Sequence, residues 1–144
     1  MKKSVEEYPK VYLYKRIVQT KLFIDSHFAD KINLDDISDE ALFSKFHFIR
    51  LFKNIYGKTP HQYLTKVRIE KAQELLQEGQ SVTDVCFQVG FESLSSFTGL
   101  FKRAVKISPS VYQRQFLQRQ QQIKEAPLQF IPNCWAENKG WTKK

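Results

Sequence analysis

Residues 44–63 and 93–112 are two versions of one pattern. At an offset of 49, seven of their twenty paired positions are identical: Ser, Phe, Leu, Phe, Lys, Pro and Tyr. Each version follows a short segment and a turn of few residues, and each ends in a Ser/Thr-Pro pair with a tyrosine three residues on. Chance similarity between two amphipathic helices would not require the shared Ser/Thr-Pro cap or the trailing tyrosine. The chain is therefore constrained to two similarly built halves.

The periodicity of apolar positions is helical throughout and predicts an all-α, seven-helix fold without strands. The first helix spans 11–28, with Leu13, Ile17 and Ile24 at helical spacing beside Tyr14 and Val18. Asn33 is positioned to cap a short second helix carrying Asp35 and Asp36 in its first turn, where negative charge is favourable. Ser44 caps the third, which runs to Tyr56 and stops at Gly57. Thr59-Pro60-His61-Gln62 reads as an N-cap, a proline at the first helical position and a capping-box glutamine, opening a helix over 60–78. Ser81 with Asp84 forms another capping box; Ser93 opens a sixth helix and Ser108-Pro109 a seventh. Short helix, tight turn, longer helix is the form of a helix-turn-helix. Two such units are expected at about 34–57 and 81–106, joined by the 60–78 helix. Together these give a domain over 11–116, with residues 1–10 as an N-terminal extension and 117–144 as a polar helix extension and Trp-containing tail.

At about 100° per residue, Phe48, Leu51, Phe52 and Ile55 share one arc of the first longer helix and Phe97, Leu100, Phe101 and Ala104 the matching arc of the second. These are the expected core faces. Phe46, Arg50 and Lys53 point away in the first, and Ser95, Gly99 and Lys102 in the second. An outward arginine on a helix slim enough for the major groove can hold guanine O6 and N7 with two bonds. Lys53 and Lys102 are better placed for phosphates, which position a protein without reading sequence. Phe46, beside Arg50, suits a thymine methyl or a sugar. The helix over 60–78 would measure about 28 Å, close to the roughly 34 Å between successive major grooves on one face of B-DNA. One chain then carries both heads, and a monomer is expected.

Lys+Arg number 23 against 15 Asp+Glu, a net charge of +8 that favours polyanionic partners. The charge is segregated. Residues 44–59 hold no acid but include Lys45, Arg50, Lys53 and Lys58; residues 93–124 hold none but include Lys102, Arg103, Lys106, Arg114, Arg119 and Lys124. The two cysteines, Cys86 and Cys134, lie 48 positions apart, which excludes a disulfide scaffold and a Cys-based zinc site and fits a reducing compartment. There is no apolar run of the roughly 18 residues that a membrane span requires, and the start has no secretory pattern. A soluble, intracellular, cytoplasmic protein is expected. His27, His47 and His61 lack metal-pair spacing, and no nucleophile elbow or Gly-rich phosphate loop is present. No catalytic residue, metal or cofactor is therefore expected. The rival to DNA binding is a helical protein-interaction module that has lost it.

The most specific residues are Val89-Gly90-Phe91-Glu92-Ser93, Phe97, Phe101-Lys102-Arg103, Ser108-Pro109-Ser110 and Tyr112, preceded by Arg68-Ile69-Glu70-Lys71-Ala72 and Leu75-Leu76. From about Leu34 to Tyr112 the chain resembles the DNA-binding domain of AraC/XylS-type transcription regulators, and the helix at 11–28 fits that family's first helix. The resemblance implies seven helices, two helix-turn-helix units and an asymmetric double-stranded DNA target. By the motif match, Phe46, Ile49 and Arg50 face bases from the first reading helix, and Leu94, Ser95, Ser96, Thr98 and Gly99 from the second. Phosphate contacts are assigned to Ser44, Lys45, His47, Lys53, Lys58, Ser93, Lys102, Arg103 and Arg114. Related DNA-repair methyltransferases need a reactive cysteine in a domain of their own, whereas Cys86 sits on an apolar helix and reads as inert.

Several positions depart from the family pattern. Leu42 and Lys106 stand where turn glycines are usual, Ser38 and Cys86 where alanine packs, and Gln113 where arginine is frequent. Gly99 replaces a long polar or basic side chain, so the second head is expected to sense phosphate and shape, and the first to carry specificity. Ten residues precede the first predicted helix, which implies a stand-alone regulator with no effector domain, controlled by abundance or a partner. The tail, with Trp135, Trp141 and Cys134, is as well suited to packing on the domain as to docking a partner such as RNA polymerase.

Overall fold

The computed structural model describes residues 2–32 and 45–126, with side chains from Val11 onward. They form six helices: α1 (Lys2–His27), α2 (Lys45–Tyr56), α3 (Pro60–Gln77), α4 (Val82–Gln88), α5 (Leu94–Val105) and α6 (Pro109–Glu125). Each corresponds to one of the seven predicted helices. The remaining one, capped by Asn33, lies outside the described residues, as do Ser38, Leu42, Ser44 and the tail with Cys134, Trp135 and Trp141. Helix α1 starts at Lys2, so it includes most of the stretch expected to be a separate extension.

Among the described residues the N-caps at Thr59, Ser81, Ser93 and Ser108 form where the sequence puts them. Ser81 and Asp84 make only half of the expected capping box: Ser81 Oγ accepts from Asp84 N at 3.2 Å, and the Asp84 side chain, shorter than a glutamine's, makes no return bond to Ser81 N. Thr59 Oγ1 accepts from Gln62 N at 3.3 Å while Thr59 N donates to Gln62 Oε1 at 3.0 Å, the complete capping box, and Pro60 follows at the first helical position. Ser81, Ser93 and Ser108 each accept one N–H from the first turn of α4, α5 and α6. At the other end of α4, Gly90 N donates to Phe87 O and Phe91 N to Cys86 O, closing the helix with Gly90 at φ 99°.

Two apolar cores result. The first gathers Leu13, Ile17 and Ile24 of α1, Phe48 and Phe52 of α2, and Leu64 of α3. The second gathers Ile69, Ala72, Leu75 and Leu76 of α3 with Val85, Cys86, Val89, Phe91, Phe97 and Phe101. Thr20, buried in the α1 stripe, satisfies its hydroxyl on Arg16 O at 2.8 Å. The duplicated phenylalanines Phe48/Phe97 and Phe52/Phe101 are all fully buried. Truncating one to alanine would cost about 3–5 kcal/mol.

The trailing tyrosines explain why the repeat extends past each Ser/Thr-Pro cap. Tyr63 meets Phe52 edge-on at 5.9 Å and 71°, and Tyr112 meets Phe101 at 5.5 Å and 70°. One expectation fails equally in both copies: Ile55 and Ala104, placed on the core arc, are exposed. In the last turn of α2 the packing partner is Tyr63 of α3, and the stripe passes to Tyr56, whose ring lies 6.0 Å from it. Val105, the equivalent of Tyr56, packs against the second core.

Candidate nucleic-acid interface

The amphipathic division of α2 and α5 decides what each can present. With the Phe48/Phe52 and Phe97/Phe101 faces inward, the opposite faces are open to solvent. Phe46, Arg50 and Lys53 are exposed on α2, and the equivalent Ser95, Gly99 and Lys102 on α5. Phe46 is 75% exposed, an apolar ring held in water with its burial free energy unrealised, and it lies one turn from Arg50. Arg50 Nε lies 3.4 Å from Phe46 O, which lays the guanidinium along the helix surface. Ile49 and its equivalent Thr98 are half-buried on the flank. Leu94 and Ser96, at the first turn of α5, are exposed. A Cβ built on Gly99 would meet nothing within 4 Å, so the outer face of α5 is flat there.

The assigned phosphate ligands also lie outside. Lys45, His47, Lys53, Lys58, Ser93, Lys102, Arg103 and Arg114 are exposed. Ser93 caps α5 through an oxygen lone pair, accepting from Ser96 N at 3.2 Å, and a hydroxyl that caps this way still has a proton to donate. The helix N-terminus adds its own partial positive charge beside these residues. On α3, by contrast, Glu70 and Glu74 lie 3.7 and 3.1 Å from Lys66 and Lys71, so the acidic face of that helix is largely self-compensated. Burial raises the pKa of the Cys86 thiol, and its Sγ lies 3.5 Å from Ser93 O. It packs against Phe97 and Phe101 of α5 as an inert small residue.

Two residues do more than the sequence indicated. Gln113, a departure from the family pattern, donates its Nε2 to Leu76 O at 3.0 Å and Gln80 O at 2.6 Å, tying α6 to the turn that closes α3. Arg68, seen only as part of a linker pattern, reaches back to Phe28 O and Asp30 O. Burial pulls its pKa below the ordinary value, with Glu92 opposing, and it stays cationic at neutral pH. Both partners are backbone carbonyls more than thirty positions away, and no local pattern marks such a pairing. Among the described residues no group of His, Cys, Asp or Glu could hold a metal ion, and no helix is long and apolar enough to cross a membrane.

Comparison with known proteins gives the same architecture. A family described as "Helix-turn-helix domain" matches residues 37–115. The chain is 38% identical over 100 residues to YdeC of Bacillus subtilis, an uncharacterized HTH-type transcriptional regulator, covering 69% of this chain and 34% of that protein. It is 36% identical over 88 residues to the HTH-type transcriptional activator RhaS of Escherichia coli, covering 60% of this chain and 32% of RhaS. It thus spans about a third of the length of these relatives. Among solved structures, the DNA-binding domain of AdpA in complex with a target DNA matches with a TM-score of 0.67 at 27% identity, covering 74% of this chain and 96% of that one. The C-terminal domain of AraT, a response regulator from Geobacillus stearothermophilus, matches with a TM-score of 0.64 at 27% identity, over 69% of this chain and 84% of that one. With the duplicated caps, the paired phenylalanine cores and this likeness in sequence and structure, the chain belongs to the AraC-type helix-turn-helix family of DNA-binding domains.

Proposed function

We propose that the chain is a sequence-specific transcription regulator that inserts α2 and α5 into successive major grooves of an asymmetric double-stranded site. The observation that carries this reading is the matched division of the two helices. Repeat-equivalent positions are buried as Phe48/Phe97 and Phe52/Phe101 and exposed as Phe46/Ser95, Arg50/Gly99 and Lys53/Lys102. The likeness to a domain solved on its target DNA supports it. So does α3, whose 18 residues span about 27 Å, near the groove-to-groove step. Base recognition rests mainly on Phe46, Ile49 and Arg50, with Leu94, Ser95, Ser96, Thr98 and Gly99 following the second groove. One chain supplies both heads, so a monomer is sufficient. The activator role in the name of RhaS supports activation as the regulatory outcome.

Protection mapping on a bound promoter tests the reading, with a footprint of about two helical turns expected. Arg50→Ala is expected to cost about 1–3 kcal/mol and relax one base position, while Lys102→Ala weakens all sequences alike and lowers the salt slope by about 1. Equal, sequence-blind losses from both variants would refute the division of labour. No binding to duplex at low salt would refute DNA binding altogether.

A further inference from the structure

The two apolar cores share no buried residue among those described; α3 runs through both, with Leu64 in the first and Ile69 in the second. Arg68 sits at the changeover. Its Nε donates to Phe28 O at 2.7 Å and its Nη2 to Asp30 O at 3.0 Å, so one guanidinium fork holds the turn that follows α1 in the first half. The same guanidinium lies 5.7 Å from the ring centre of Phe91, which is buried in the second half. Directly beside it, Gly90 brings the α4–α5 turn against that same segment. A Cβ there would lie 2.9 Å from Phe28 O and 3.0 Å from Ala29 O.

A continuous helix transmits direction but bends gently along its length. Two cores joined by a helix alone would keep some freedom to rotate against each other. The fork removes that freedom, because a planar guanidinium bonded to two carbonyls and lying over a ring at cation–π distance has one orientation. Glycine at position 90 lets the two backbones close on it.

We propose that Arg68 is the positioning residue that fixes the rotation and separation of α2 relative to α5, and hence the base-pair spacing at which both heads can bind together. The spacing consequence rests on the DNA-binding reading; the rigidity does not. One inserted base pair turns the second half-site by about 35° and moves it by about 3.4 Å. A rigid pair of heads cannot follow that change, whereas a loosened pair can.

The test uses the full chain with spin labels on Ile55→Cys and Ala104→Cys, both exposed positions, in a Cys134→Ser background; Cys86 is fully buried. With Arg68 present the distance distribution between the labels is expected to be single and narrow. Arg68→Met, which keeps a long stem over Phe91 but no donors, is expected to broaden it at unchanged helix content. On the footprinted site and a variant with one base pair inserted between half-sites, the Arg68 protein is expected to discriminate by about tenfold or more, and Arg68→Met by less than about threefold. Simple destabilisation would weaken both sites equally and leave the ratio alone. Arg68→Lys keeps the charge but cannot form the fork, and should fall between the two. A narrow distribution and unchanged discrimination in Arg68→Met, or full restoration by Arg68→Lys, would overturn the proposal. Absence of DNA binding by the Arg68 protein would refute the proposed function and leave the label distances to decide the positioning role.

Discussion

Lys106 is the only non-glycine among the described residues with positive φ, at 78°. Its equivalent in the first repeat is Gly57 at 76°, and the two turns are the same object. Lys106 N donates to Lys102 O at 2.8 Å, and Gly57 N to Lys53 O at 2.7 Å. The left-handed region costs an L-residue about 1–2 kcal/mol because Cβ crowds the following carbonyl. The Lys106 Nζ bond to Arg103 O, 3.2 Å long and exposed, offsets little of that. Lys106→Gly removes the strain but gives the unfolded chain more freedom, worth about 0.4–1 kcal/mol. The difference leaves a net gain of about 0.8 kcal/mol, or a rise of about 3 °C in Tm for a chain of this size. Lys106→Ala keeps the Cβ and loses the same charge, so it is the control. Thermal and urea unfolding of the three proteins would decide the matter. If Lys106→Gly melts no higher than Lys106→Ala, the turn is not strained and the reasoning is wrong. Both variants lose one cation near the α5 terminus, so any fall in DNA affinity should be equal in the two.

Gly99 lies mid-helix in open space, so Gly99→Ala should stabilise the fold by about 0.5–1 kcal/mol in urea unfolding. Gly99→Arg should create a new base preference in the second half-site, seen by selection from random duplexes; unchanged preference would place that face away from the bases. Tyr63 donates its hydroxyl to Asp25 Oδ1 at 2.6 Å, and Lys21 Nζ lies 2.6 Å from Asp25 Oδ2. Burial, then the Asp25 carboxylate, pushes the Tyr63 hydroxyl from its ordinary value of 10.0 to about 12. Its contribution to stability is therefore full below pH 10 and lost as pH rises toward 12. Burial alone would raise the Asp25 carboxyl, but Lys21 and Tyr63 outweigh it and hold the group below its ordinary value of 3.8. That contribution is present at neutral pH and lost as acid protonates the folded carboxylate. Tyr63→Phe should flatten the alkaline limb of stability against pH and Asp25→Asn the acid limb; unchanged limbs would refute the coupling.

Helix starts were legible because a cap is a local contract: Thr59, Ser81, Ser93 and Ser108 each accept an N–H from the residue three positions on. The outward direction of Phe46, Arg50 and Lys102 was legible for a similar reason, since a helix with one apolar arc must turn the opposite one to water. The same wheel misplaced Ile55 and Ala104. It measures angle about one axis and says nothing of where a neighbouring helix ends its contact, and here the cover moves to Tyr56 and Val105.

By itself, then, the amino-acid order determined what depends on a few consecutive residues: six of the helices, the N-caps of four of them, the duplication and the side of each repeated helix that meets solvent. Tertiary structure alone decided how the halves are held. The bonds from Arg68 to Phe28 and Asp30 and from Gln113 to Leu76 and Gln80 end on main-chain carbonyls. Every residue carries a carbonyl, so such a partner leaves no mark in the sequence, and only the folded path of the chain selects which one is reached.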